Sequence, residues 1–300
     1  MSTPIYVIGS SNTDMVIKAA TLPKPGETVL GGTFLMNAGG KGANQAVAAA
    51  RLGGRVTFVA NVGGDMFGQQ AIEQFEREKI NTSFVTVDKE RPSGVALINV
   101  DDNGENCIAV APGSNGYLEI NHINAAFESI QSPAILLVQL EIPLSTVEYI
   151  IEEAYKMNFS LILNPAPAHK LKQQLFKYLF LITPNESEAE LLTGVKVVDK
   201  TSASMAASVL HDMGVPNVVI TMGSKGAYLS NQSFASLISV PPVTAIDTTA
   251  AGDCFNGALA VALAEGRDLS ESVSFACKAA SISVTRMGAQ SSIPLRKEVD

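Results

Sequence analysis

The chain has 300 residues, 46% of them hydrophobic and 17% charged, which allows a large buried core and excludes a disordered polymer. Its net charge of −8 supplies no basic stripe, which excludes nucleic acid or an anionic membrane as an expected partner. The three cysteines (Cys107, Cys254, Cys277) and three histidines (His122, His169, His211) are scattered with no CxxC pair, so a disulfide framework, a zinc centre and a Ser-His-Asp triad all lack material. The first residues carry no basic signal-peptide region and the longest strongly apolar run, Ala134–Val138, is too short to span a membrane. A cytoplasmic enzyme or binding protein is expected.

In chain order, the apolar strand Ile5–Ile8 runs into Gly9-Ser10-Ser11-Asn12-Thr13-Asp14. Asn and Asp two residues apart beyond a strand suit a polyol, because a carboxylate accepts from two vicinal hydroxyls. An Asx turn explains the same residues. Met15–Met36 is strand-like, with a turn signal at Lys24-Pro25-Gly26. Gly39-Gly40-Lys41-Gly42-Ala43-Asn44-Gln45-Ala46 then opens a helical pattern, Ala43–Leu52. It is not a Walker A loop, since Gly42 and not Ser or Thr follows Lys41. Its glycines would let a polar ligand reach the backbone, and a plain glycine-rich turn is the bland alternative.

A strand at Val56–Ala60 and a helix at Gly68–Glu78 precede a second strand-like stretch, Ser93–Ala111, with a turn at Asp101-Asp102-Asn103-Gly104. The two irregular stretches predict either a small separate sheet or two surface hairpins. Strands at Ile135–Val138, Leu161–Leu163, Phe180–Thr183 and Val218–Thr221 alternate with helices at Thr146–Met157, Glu186–Thr193 and Ser202–Met213. That alternation predicts an α/β fold with a mainly parallel sheet and its ligands beyond the strands' carboxyl ends. Asn185-Glu186-Ser187-Glu188 reads as a ligand segment or a capped helix start, and Thr221–Gly226 as a ligand loop or a hairpin turn.

A strand pattern at Ser239–Ile246 leads into Asp247-Thr248-Thr249-Ala250-Ala251-Gly252-Asp253-Cys254-Phe255, which opens the helix Gly252–Glu265; Leu269–Thr285 follows. Small residues at a helix entrance let its free N–H groups approach an anion. A carboxylate facing a phosphate is unfavourable unless it has a task, such as taking a proton from an attacking hydroxyl. Complementing the helix dipole is the alternative for Asp253. No Gly-x-Gly-x-x-Gly follows the first strand, which counts against a dinucleotide-dependent oxidoreductase.

From Ile5 to about Pro294, the paired Gly39–Ala46 and Asp247–Asp253 segments resemble the two signatures of the ribokinase-like (PfkB) carbohydrate kinase family. The resemblance implies a three-layer α/β sandwich over residues 1–300 as one kinase domain, with small β-sheet lid insertions at about 15–36 and 93–111. Asn12, Asp14, the glycine-rich segment and Glu141 resemble the branch acting on ribose, so ATP-dependent phosphorylation of D-ribose at its 5-hydroxyl is expected. Deoxyribose, another sugar or a nucleoside as acceptor, and a non-catalytic sugar or nucleotide sensor, are the alternatives.

By the same resemblance Asp253 is the general base, and Ala250, Ala251 and Gly252 form an anion hole. Asn12, Thr13, Asp14, Gly40, Lys41, Gly42, Asn44 and Glu141 bind the sugar. Asn185, Glu188, Thr221, Gly223, Ser224, Lys225, Gly226, Gly252 and Cys277 face ATP, with Mg2+ held through water. Cys277 stands where relatives carry a larger polar residue. Asp247, Thr249, Ser283, Arg286, Gly288 and Ser292 would hold K+. Apolar residues of the lid such as Val29, Val95 and Leu97 predict a homodimer joined through it.

Overall fold

The computed structural model describes residues 2–130 and 132–300. After β1 (Ile5–Ile8) the chain makes β2 (Asn12–Lys18) and β3 (Thr33–Gly39), then returns through α1 (Lys41–Arg51) and β4 (Val56–Gly63). Next come α2 (Met66–Arg77), β5 (Asn81–Asp88), and a second excursion in β6 (Gly94–Val100) and β7 (Asn106–Ala111). The middle of the chain alternates as α3 (Ile120–Phe127), β8 (Ile135–Val138), α4 (Leu144–Lys156) and β9 (Ser160–Leu163). β10 (Leu181–Ile182), α5 (Glu186–Thr193), α6 (Lys200–Asp212) and β11 (Val218–Thr221) continue it. β12 (Ala227–Ser230), β13 (Ala235–Ile238), α7 (Ala251–Ala264), α8 (Leu269–Ser283) and α9 (Arg296–Val299) complete the order.

Nine strands form the large sheet in the order β13-β12-β11-β10-β9-β8-β1-β4-β5, parallel except that β12 runs antiparallel to both of its neighbours, β11 and β13. Successive strand residues enter opposite cores. Val7, Phe58, Leu137 and Ile162 pack on one face, and Ile8, Val59, Leu136 and Leu161 on the other. Both faces are covered, so the strands read as unbroken apolar runs and not as alternating ones. The expected three-layer architecture is borne out.

The two irregular stretches combine into a four-stranded sheet, β3-β2-β6-β7. It reaches further toward the large sheet than 15–36 suggests, since β2 begins at Asn12 and β3 ends at Gly39. Both turn signals form: Glu27 N–H donates to Lys24 O at 2.9 Å and Gly104 N–H to Asp101 O at 3.0 Å. Gly26 and Gly104 take φ values of 81° and 83°, open to glycine without strain. The strand expected at Ser239–Ile246 is absent: β13 ends at Ile238 and the chain runs on irregularly. Pro241 and Pro242 have no N–H to give a ladder, which explains the break.

Candidate active site

The carboxyl ends of the parallel strands and the first turns of α1 and α7 converge on Asp253. α7 starts from Ala250, a non-glycine residue in the left-handed region at φ 59°, ψ 13°. Holding it there stores backbone strain, which aims the first turn. Ala251 N–H is taken by Thr248 O at 3.2 Å, whereas Gly252 and Asp253, as first-turn residues, have no intrahelical acceptor. A Cβ added to Gly252 would meet nothing within 4 Å, so this helix entrance is open.

Asp253 itself is buried, with 6% of its surface exposed. Asn44 Nδ2 donates to its Oδ2 at 2.9 Å and Gln45 Nε2 to its Oδ1 at 2.9 Å. α1 and α7 come close enough for this because Gly257 faces α1, where a Cβ would lie 2.6 Å from Ala48 Cβ. Burial pushes the Asp253 pKa up; Lys41 and the two amides oppose the rise, and Glu141 reinforces it. Asn44 Oδ1 is buried without a hydrogen-bond partner.

Asp14, Glu141 and Lys41 act on Asp253 and on one another through their charges. Ser10 Oγ donates to Glu141 Oε2 at 2.6 Å and Lys41 N–H donates to it at 3.0 Å. Burial, with repulsion from Glu141 and Asp253, pushes Asp14 up to about 6, against the pull of Lys41. Burial opposes the Lys41 ammonium, yet the joint field of Asp253, Glu141, Glu188 and Asp14 keeps its pKa above the ordinary value.

On the side where a side chain would grow, Gly40 and Gly42 meet the chain itself: a Cβ would lie 2.7 Å from Asn12 N and 2.6 Å from Gly9 C, respectively. These glycines let the start of α1 dock backbone-to-backbone on the loop after β1. Thr13 sits on the face of β2 opposite Asn12 and Asp14, because side chains alternate along a strand. It lines a cleft of about 410 Å³ together with Ser11, Asn12, Met36 and Phe67.

The nucleotide candidates also come together. An isolated parallel bridge joins Asn185 to Thr221. Thr221–Gly226 is the β11–β12 hairpin turn, with Met222 N–H on Gly226 O at 2.8 Å. Asn185 and Glu188 form a reciprocal capping box on α5. Glu188 still faces the centre, its pKa raised first by burial and then by Asp253, while Asn185 N–H and Lys41 oppose the rise. Cys277 is buried in α8 and lines a cleft of about 940 Å³ with Ser239, Pro241, Ser274 and Lys278. Burial pushes its thiol up to about 12, so it stays neutral.

Asp247 ties the loop before α7 to the turn after α8. Its Oδ1 accepts from Thr249 N–H at 2.9 Å and Thr249 Oγ1 at 2.6 Å, and its Oδ2 accepts from Gly288 N–H at 2.9 Å. These bonds hold its pKa below the usual range despite burial. Ser283 Oγ and Ser292 Oγ donate to Ala280 O and Ala289 O, and the Arg286 guanidinium turns outward to Glu298. Among the described residues no group of three His, Cys, Asp or Glu is placed to hold a metal.

The pfkB family carbohydrate kinase model matches residues 2–296. The chain belongs to that family. A ribokinase from Haemophilus influenzae is 45% identical over 298 residues, covering 99% of this chain and 97% of its own. A deoxyribokinase from Salmonella typhi is 38% identical over 291 residues, covering 97% and 95%. The structure of Arabidopsis thaliana ribokinase complexed with ribose and ATP superposes with a TM-score of 0.90 at 32% identity, covering 100% and 98%.

In this carbohydrate kinase the sequence reading missed the polar residues just past the parallel strands. Gln139 follows β8, Asn164 follows β9, and Asn115 clamps the root of the small sheet. Asn115 Nδ2 donates to Asn12 Oδ1 at 2.8 Å, and its Oδ1 accepts from Ser11 N–H at 2.8 Å. A polar residue directly after a buried apolar run was the available signal for Gln139 and Asn164. Asn115 had none, since its partners lie about a hundred residues away.

Proposed function

We propose that the chain transfers the γ-phosphoryl group of ATP to the 5-hydroxyl of D-ribose, giving ribose 5-phosphate and ADP. The observation that carries this is Asp253, a buried carboxylate gripped by two amides in the first turn of a helix whose entrance is open. The sugar lies against Asn12, Asp14, Asn44 and Glu141, and a sugar hydroxyl satisfies the unpartnered Asn44 Oδ1. Asp253 takes the 5-hydroxyl proton as that oxygen bonds to the γ-phosphorus and the bond to the β–γ bridging oxygen breaks. The N–H groups of Ala250 and Gly252 and the Lys41 ammonium stabilise charge on the phosphoryl group in transit, while Ala251, whose N–H is bonded to Thr248 O, braces the turn. Burial raises the proton affinity of Asp253, as a base requires.

ATP lies along the Thr221–Gly226 turn toward Cys277. Asn185 and Glu188 would hold Mg2+ through water, and that ion would neutralise phosphate charge. The Asp247 carboxylate with backbone carbonyls of the two loops it joins would hold K+, which would offset their negative potential and steady the loop before Ala250. Residues 1–300 act as one kinase domain whose small sheet closes over the sugar and pairs with that of a second subunit in the cytoplasm. Relatives that bear the ribokinase name support ribose as acceptor, and the Salmonella deoxyribokinase keeps 2-deoxyribose as the rival. Coupled ADP-release assays across ribose, 2-deoxyribose, fructose and adenosine test this, with phosphorus NMR locating the new ester. A higher kcat/KM for any of the other three, or an ester away from the 5-position, refutes it.

A further inference from the structure

Behind Asp253 runs a chain of side-chain amides to which the chemistry above gives no task. Gln45 is wholly buried. Its Nε2 donates both to Asp253 Oδ1 at 2.9 Å and to Asn164 Oδ1 at 3.0 Å. Its Oε1 accepts from Gln139 Nε2 at 2.6 Å, and Asn164 Nδ2 donates to Thr183 O at 3.2 Å. Chemistry fixes the sense of each link. The Thr183 carbonyl only accepts, so Asn164 must turn Oδ1 toward Gln45. An ionised Asp253 also only accepts, so Gln45 must turn Nε2 toward both and present Oε1 to Gln139. Gly9 leaves room for this, since a Cβ there would fall 2.1 Å from Gln139 Oε1.

We propose that Gln45 is a positioning residue for the base: oriented by Asn164 and Gln139, it holds Asp253 Oδ1 inward so that Oδ2 receives the sugar proton. The inference rests on reading Asp253 as the base. A neutral amide favours the carboxylate through one short bond without pairing its charge, so the base stays ionised yet keeps its affinity for a proton. The charged groups facing Asp253 are Lys41 from α1, Glu141 beyond β8, Asp14 from β2 and Glu188 from α5. None of the four hydrogen-bonds Asp253, and the donor on its inner oxygen is Gln45. Asn44 occupies only one lone pair of Oδ2, and the other is free for the hydroxyl.

Gln45→Met is close in shape and removes the donor, so it tests the bond itself. Kinetics from about pH 6 to 8.5, with sugar affinity by calorimetry, are compared with Gln139→Met, which keeps Gln45 but leaves its Oε1 unpaired. The expected loss in kcat for Gln45→Met is about 10-fold at pH 8.5 and several-fold greater near pH 6, because an unsupported carboxylate takes up protons more readily. Gln139→Met should show the same tilt at smaller amplitude, and it carries the test alone if Gln45→Met does not fold. Sugar affinity should stay within about 2-fold in both. A loss independent of pH, or one matched by lost sugar affinity, overturns the proposal in favour of plain packing. Asp253→Asn is measured alongside: if it keeps its turnover, the base reading and this inference fall together; if it is inactive while the Gln45→Met loss is flat with pH, only the inference falls.

Discussion

Around Asp253 the inner groups are tied together within one chain: Asn44, Gln45, Gln139 and Asn164 are buried and each makes a hydrogen bond, though Asn44 Oδ1 and Gln139 Oε1 have no partner, and Gly257 lets two helices touch. The small sheet is built the other way. Phe34 and Leu97 on one face are 58% and 53% exposed, and Ile108 and Val110 on the other are 53% and 52% exposed. The first region is rigid because each contact depends on its neighbour. The second has the hydrogen bonds of a sheet but no core of its own, so its apolar faces await another surface. On the reading proposed above, chemistry falls to the buried region, and closure and assembly to the exposed one.

The contrast breaks most easily at Gly257. Gly257→Leu drives side-chain atoms into Ala48 and the Gln45 carbonyl, and should remove about 3 kcal/mol or more of stability in denaturant unfolding. Leu97→Asn on the small sheet should change monomer stability by less than about 1 kcal/mol. Similar losses in both would erase the distinction.

Asp14 sharpens it, standing where the two regions meet. Its folded pKa of about 6 lies above the ordinary 3.8, so the unfolded chain releases this proton first and stability falls as pH rises from 3.8 through about 6. Asp14→Asn should therefore stabilise the free protein by about 2 kcal/mol above that window, raising Tm by several degrees. The same change should weaken sugar binding about 10- to 100-fold through lost charge-assisted bonds. Wild-type sugar KM should rise as pH falls through about 6, and the variant's should not. A variant no more stable and still tight-binding would place Asp14 outside the sugar site.

Leu97→Lys with Ile108→Lys charges both faces of the small sheet and should convert a dimer to a monomer in light scattering, with turnover reduced several-fold. A monomeric wild type removes that role. The smallest effect is expected from cation exchange: replacing K+ by a bulky organic cation at constant ionic strength should lower kcat by a few-fold. Equal rates would leave the Asp247 loop without an ion.

Much of this was legible in the sequence because the large sheet is parallel and covered on both faces. Its strands are unbroken apolar runs, and its two glycine-marked helix entrances stand out. Residues that depend on distant partners were not legible. Thr13 looked like its neighbours Asn12 and Asp14 until the strand's alternation turned it away. That Gly40 and Gly42 also make room for the backbone of the loop after β1 shows only in the fold. Ser239–Ile246 had the composition of a strand, and two prolines denied it the hydrogen bonds. Gln45 stood inside the motif with no visible task, because Gln139 and Asn164 meet it only after the sheet is assembled.

The central claim, that Asp253 is the base of a sugar kinase, is tested most directly by Asp253→Asn. Asparagine keeps the size of the side chain and removes its capacity to take a proton. Single-turnover rates with ribose and ATP should fall by about 10²- to 10⁴-fold while ribose affinity, read by calorimetry on the same preparation, changes by less than about 3-fold. A variant that turns over near the wild-type rate, or one whose loss is matched by lost ribose binding, would contradict it.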